Sequence, residues 1–143
     1  MSSSPRRQSR EVALQALYAW QLSGGDALDE LASLEGFEDS DQKLARNLVS
    51  GVSEKAPELQ ALIAPHVERG FEKLSPVERA ILYIGAYELS AHPQTPFKVV
   101  LNEAIELGKS FGGAEGHRFV NGVLEKIAAA LRPEEFARHR SAV

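Results

Sequence analysis

Three arginines, Arg6, Arg7 and Arg10, stand within the first ten residues, and no acid accompanies them. The guanidinium is a planar fork of donors that matches phosphate oxygens and stacks on nucleobases. A second group, Gly116-His117-Arg118-Phe119-Val120-Asn121-Gly122, sets a cation beside an aromatic ring at what reads as a helix start. Backbone amides at such a start face outward and bond an anion. Phosphate pairing and base stacking are together what single-stranded nucleic acid requires. Both groups also have an ordinary reading. A basic chain end keeps a protein soluble, and a phenylalanine next to Val120 can be core.

Other chemistries find no such pattern. The chain has no cysteine, which excludes disulfides, thiolate nucleophiles and cysteine metal sites. There is no Gly-x-Ser-x-Gly elbow, and His66, His92, His117 and His139 are scattered. Glu103 and Glu106 are three apart and Glu134-Glu135 adjacent, but the Glu-x-x-His pattern of di-iron bundles is missing. No Gly-x-x-x-x-Gly-Lys-Ser/Thr phosphate loop occurs. These residues lead us to expect no catalysis, no metal and no cofactor.

The elements that must position the two basic groups are helices. The 143 residues, 43% hydrophobic and 25% charged, suit one globular domain. Helical spacing runs from Arg10 to Leu22 (Ala13, Leu14, Leu17, Trp20), and again over Asp26 to Leu34. Ser40 or Asp41 caps a third helix carrying Leu44, Ala45, Leu48, Val49 and Val52. Pro57 ends it and opens a fourth through Leu59, Leu62 and Ile63, shortened by Pro65. Ser75-Pro76-Val77-Glu78 is a capping box that starts a helix reaching about Ser90. Thr95-Pro96 starts the next, which Gly112-Gly113 breaks, and the last runs from about Ala114 to Leu131 with Val120, Val123, Leu124 and Ile127 inward. Residues 134–143 read as a frayed polar tail.

No two-residue alternation supports a sheet. The expectation is one all-α domain, residues 1–143, of about seven helices in two small bundles divided near Gly70 to Ser75. It carries a basic N-terminal arm over residues 1–10. No apolar run approaches the ~18 residues of a membrane span, and a cytoplasmic protein fits. The net charge of −4 is uneven: Glu11 to Gln42 holds eight acids and no Lys or Arg, while the rest is nearly balanced. A basic coat over the whole surface is excluded, but a local basic patch is not.

Arg6-Arg7, Arg10-Glu11 and Ala13-Leu-Gln-Ala-Leu-Tyr-Ala-Trp-Gln-Leu22 resemble the opening of the NusB family of bacterial transcription antitermination factors. The resemblance continues in Val77-Glu78-Arg-Ala-Ile-Leu and Ala86-Tyr-Glu-Leu-Ser90. It is most specific in Pro96-Phe-Lys-Val-Val-Leu-Asn-Glu-Ala-Ile-Glu-Leu-Gly-Lys-Ser-Phe-Gly112 and His117-Arg-Phe-Val-Asn-Gly-Val-Leu124. It implies a helical, non-catalytic protein that pairs with NusE, a small-subunit ribosomal protein. The pair would bind single-stranded boxA RNA in nascent ribosomal RNA transcripts and help assemble an antitermination complex on RNA polymerase.

Motif by motif, the resemblance makes Arg6, Arg7, Arg10, Glu115, Arg118 and Phe119 RNA contacts, with the Phe119 ring mostly exposed. It makes Tyr18 and Glu78 contacts for the ribosomal partner. Two departures stand out: Gln8, where the family often extends its arginine run, and a less polar loop over Gly112-Gly-Ala-Glu-Gly116. The resemblance leaves a homodimer open. It also leaves two alternatives, an accessory RNA-binding module like that of ribosomal RNA cytosine methyltransferases, and a helical partner-binding module without RNA.

Overall fold

The structure, a computed structural model, describes residues 4–111 and 116–142. These form seven α-helices and no strand: α1 (Pro5–Ser23), α2 (Ala27–Leu31), α3 (Gln42–Ile63), α4 (Pro76–Ala91), α5 (Phe97–Phe111), α6 (Gly116–Leu131) and α7 (Pro133–Ala142). One-turn 3₁₀ helices at Ala64–His66 and Phe71–Lys73 lead from α3 into α4. Among the described residues no helix is long and apolar enough to cross a membrane.

The apolar content of α4 explains the architecture. From Ala80 to Leu89 every residue of α4 is buried, so this helix needs cover on all sides. It receives it from α1 and α3 on one flank and from α5 and α6 on the other. The two expected bundles therefore share α4, and their apolar side chains merge into one core. Gly108 lets α5 and α6 approach closely. A Cβ there would lie 2.9 Å from the His117 Cα, so a larger residue would push away the first turn of α6.

The helix count matches the expected seven, but the allotment differs. The third and fourth expected helices are one helix, α3, kinked where Lys55 leaves helical geometry (φ −111°, ψ 17°). Pro57 then occupies a first-turn position of the second half, where its missing N–H costs nothing. The tail expected to fray is instead α7. Arg132, just before it, donates to the carbonyls of Glu88, Leu89, His92 and Thr95 and so caps the end of α4. Glu135 accepts from the Phe97 amide at 2.8 Å at the start of α5, and Phe136 and His139 pack on the Phe97 ring. Burial pushes the Glu135 carboxyl up, but the Phe97 amide and Arg132 outweigh this and hold it below the usual carboxylate range.

Helix α1 also starts earlier than its apolar spacing suggests. Ser4 Oγ accepts from the Arg7 amide at 3.1 Å and Pro5 takes the first helical position. This is the same Ser-Pro start that opens α4, where the expected capping box is complete: Ser75 and Glu78 exchange bonds of 3.0 and 3.1 Å. The early start places Arg6, Arg7 and Arg10 in the first two turns of α1 rather than on a loose arm.

Candidate nucleic-acid interface

Cations in the first turn of a helix oppose its dipole, and α1 has no acid of its own there. The fold supplies acids from elsewhere. Arg6 lies 3.5 Å from Asp41, the N-cap of α3; Arg6 is exposed and Asp41 partly so. Arg7 grips Glu103 of α5 with two bonds, Nε to Oε1 at 3.1 Å and Nη2 to Oε2 at 2.9 Å. This contact holds the Arg7 pKa above its ordinary value.

Arg10 must be corrected as an exposed contact. Its side chain is 4% exposed and makes two 2.8 Å bonds to Glu88, itself 1% exposed. Burial works against both charges, but the pair outweighs it. The Arg10 pKa is held above its ordinary value, and the bonds from Arg10, with His92 Nδ1 3.8 Å away, keep Glu88 below the usual carboxylate range. With both its Nε and Nη2 committed to Glu88, Arg10 is a strut between α1 and α4.

The start of α6 is different. Arg118 is exposed, and Phe119 beside it is half-buried against the core. This corrects the expectation of a mostly exposed ring: the inward stripe of α6 does not need Phe119, but the segment after α3 covers part of it. The Arg69 guanidinium stands 5.4 Å from the ring centroid, in cation–π range. Arg69, Arg118, Lys126, His66, Glu68 and Phe119 are among the residues lining one groove of about 390 Å³. Among the described residues, no carboxylate lies within 4 Å of Arg118 or Lys126. Glu115 lies outside the described residues.

The sequence reading missed His66, Arg69 and Lys126. His66 reads as one of four scattered histidines and the other two carry no motif; only the fold brings them to one groove beside α6. The structure therefore divides the expected RNA contacts into two regions, one on α1 and α5, the other on α6 and the turn after α3.

Of the two expected partner contacts, Glu78 lies close to the α6 groove. Arg69 reaches back to Glu78, 3.9 Å away, so the capping carboxylate also borders the groove's cation. Tyr18 is 39% exposed. It lines an apolar groove of about 430 Å³ with Leu14, Gln15, Leu34, Val77 and Phe111. Val77 precedes Glu78, so Tyr18 and Glu78 sit on neighbouring parts of one surface formed by α1 and α4. Among the described residues, no group of three or more His, Cys, Asp and Glu side chains could hold a metal ion.

A family model described as "NusB family" matches residues 7–129. The transcription antitermination protein NusB of Laribacter hongkongensis is 49% identical over 141 residues, covering 96% of this chain and 86% of that one. Among solved structures, the NusB of T. maritima superposes with a TM-score of 0.82 at 31% identity, covering 96% of this chain and 99% of the other. A structure of antitermination factors NusB and NusE in complex with dsRNA matches at a TM-score of 0.75 and 26% identity, covering 87% of this chain and 96% of that one.

Proposed function

The chain belongs to the NusB family, and from that membership we propose that it is a cytoplasmic, non-catalytic transcription antitermination factor. Paired with the small-subunit ribosomal protein NusE, it binds single-stranded boxA RNA in nascent ribosomal RNA transcripts. It thereby helps assemble the antitermination complex on RNA polymerase, and residues 1–143 act as one RNA-binding domain. The observation that carries this reading is the α6 groove, which Arg118 and Lys126 line together with the Phe119 ring, and where Arg69 stands over that ring. Cations that track a backbone beside an aromatic that stacks a base are the parts single-strand binding needs.

In this reading Arg118 and Lys126 pair with phosphates, and the free edge and face of Phe119 meet a base. Arg69 backs the ring, and Glu115 is a further RNA contact by family motif alone. Arg6 and Arg7 extend the phosphate track on α1. Tyr18, in its apolar groove, and Glu78 form the contact for the basic ribosomal partner. The relatives' antitermination role favours this over the methyltransferase accessory module.

Filter binding with boxA-like and scrambled single-stranded RNA, with and without the ribosomal partner, tests the proposal. Preference for the boxA-like strand that the partner strengthens is expected. Equal retention of both strands in the presence of partner rules out boxA recognition, and no retention of either rules out the RNA reading.

A further inference from the structure

Arg7 holds Glu103 as a guanidinium holds a phosphate, with two parallel bonds from one planar fork. The two anions compete for the same donors. The Arg7 side of this pair is open to exchange, because its side chain is 40% exposed, while Glu103 is 16% exposed and held within the fold. The adjoining Arg10–Glu88 pair is sealed from solvent and is not exchangeable on the same terms.

The geometry also provides for the released carboxylate. Arg10 spends Nε and Nη2 on Glu88, and its remaining Nη1 stands 3.9 Å from Glu103 Oε1. Glu103 therefore keeps a cation when Arg7 leaves. Two arginines and two glutamates cancel within this cluster, so it presents no net positive charge in the free protein.

We propose that Glu103 is an internal stand-in for a nucleic-acid phosphate: it occupies the Arg7 fork in the free protein and is exchanged for a backbone phosphate of bound single-stranded RNA, while Arg10 Nη1 retains the displaced carboxylate. This rests on the RNA-binding reading and deepens it by naming a residue that sets selectivity. A free anion must displace a carboxylate already in place. A strand docked elsewhere on the protein presents its phosphate at high effective concentration and wins the exchange. Arg7 thus engages strands that are already bound and ignores stray anions.

The test is a cycle of Glu103→Gln, Arg7→Gln and the double variant, each titrated with boxA-like RNA in the presence of the ribosomal partner. Glu103→Gln keeps the side-chain length and removes the competing charge. It is expected to bind about two- to fivefold tighter, the range that releasing a surface ion pair corresponds to. The gain should vanish in the Arg7→Gln background and exceed that of Glu106→Gln, which removes a nearby charge not bonded to Arg7. Unchanged or weaker binding by Glu103→Gln overturns the exchange, as does a gain that survives without Arg7. Wild-type protein that binds no RNA overturns the functional reading as well, so the two failures are distinct. If Glu103→Gln loses its helical signal, Glu103→Asp, whose shortened carboxylate loosens the fork, carries the same expectation.

Discussion

At the start of α1, Arg6, Arg7 and Arg10 stand against Asp41, Glu103 and Glu88. Along α6, Arg118 and Lys126 face a groove with an aromatic ring, and Arg69 lies over that ring. The first region is dense in positive charge along the chain and neutralised in space. The second is sparse along the chain and assembled in space. A cation's availability to phosphate depends on what already holds it, so the number of arginines in a segment is a poor guide to which of them bind. Within the first region availability is graded: Arg10 is sealed, Arg7 is held by an exchangeable partner, and Arg6 is loosely paired in solvent.

The sharpest way to break this contrast is at Arg10. If it is a strut, Arg10→Ala leaves Glu88 buried and unpaired, and stability should fall by about 3–5 kcal/mol. Urea denaturation followed by circular dichroism reads this directly. Full stability with weakened RNA binding would return Arg10 to the interface. The pair also predicts an acid limit. Because the folded pKa of Glu88 lies below its ordinary value of 4.5, its contribution is complete above that pH and drains away as pH falls below it through the lowered native value. The pH dependence of the wild-type midpoint should steepen there, and Glu88→Gln should flatten it.

Phe119 tests the other region at the next level of effect. A ring fully in the core costs about 3–5 kcal/mol on truncation, and this one is only half covered. Phe119→Ala should therefore cost clearly less stability than that, and weaken RNA binding by about 1–3 kcal/mol. A folded variant with unchanged affinity would reduce the ring to packing for Arg69.

These regions also show what the chain order discloses. Signals carried within one helix were legible: the Ser75–Glu78 box and the inward stripe of α6. Signals carried across the fold were not. Arg6, Arg10 and Arg7 find their acids 35, 78 and 96 residues away, and a charge count along the chain cannot see a partner so distant. Arg69 and Phe119 meet for the same tertiary reason. Helix α7 was illegible because it is held by Arg132, Glu135 and Phe136 rather than by an apolar stripe. The earlier start of α1 was legible and passed over, since Ser4-Pro5 repeats the start seen at Ser75-Pro76. The family motifs named Arg118 and Phe119 but left Lys126 and His66 unmarked.

Glu78 separates the partner surface from the groove with a smaller effect on folding. Glu78→Gln should keep most of the cap, which contributes about 1 kcal/mol or less. Glu78→Lys should lose capture of the basic ribosomal partner while the isolated chain stays helical. Because Arg69 lies 3.9 Å from Glu78, the lysine would also repel Arg69, whereas the glutamine would not. Partner capture that survives Glu78→Lys in a pull-down would remove Glu78 from that contact.

The smallest expected effect compares the two regions cation for cation. Single-strand binding loses affinity with salt at a log–log slope of roughly −0.7 per phosphate neutralised. As an exposed phosphate partner in this reading, Arg118 carries one full contact, and Arg118→Ala should flatten the slope by about 0.7. Arg6 shares its charge with Asp41 at 3.5 Å. Removing it takes away a phosphate partner only to the extent that Asp41 had released it, so Arg6→Ala should flatten the slope by less. Neither change should move stability by more than about 1 kcal/mol, since both side chains are exposed. Equal flattening by the two variants would mean that Asp41 does not hold Arg6 in solution. The neutralised and available regions would then differ only at Arg7 and Arg10.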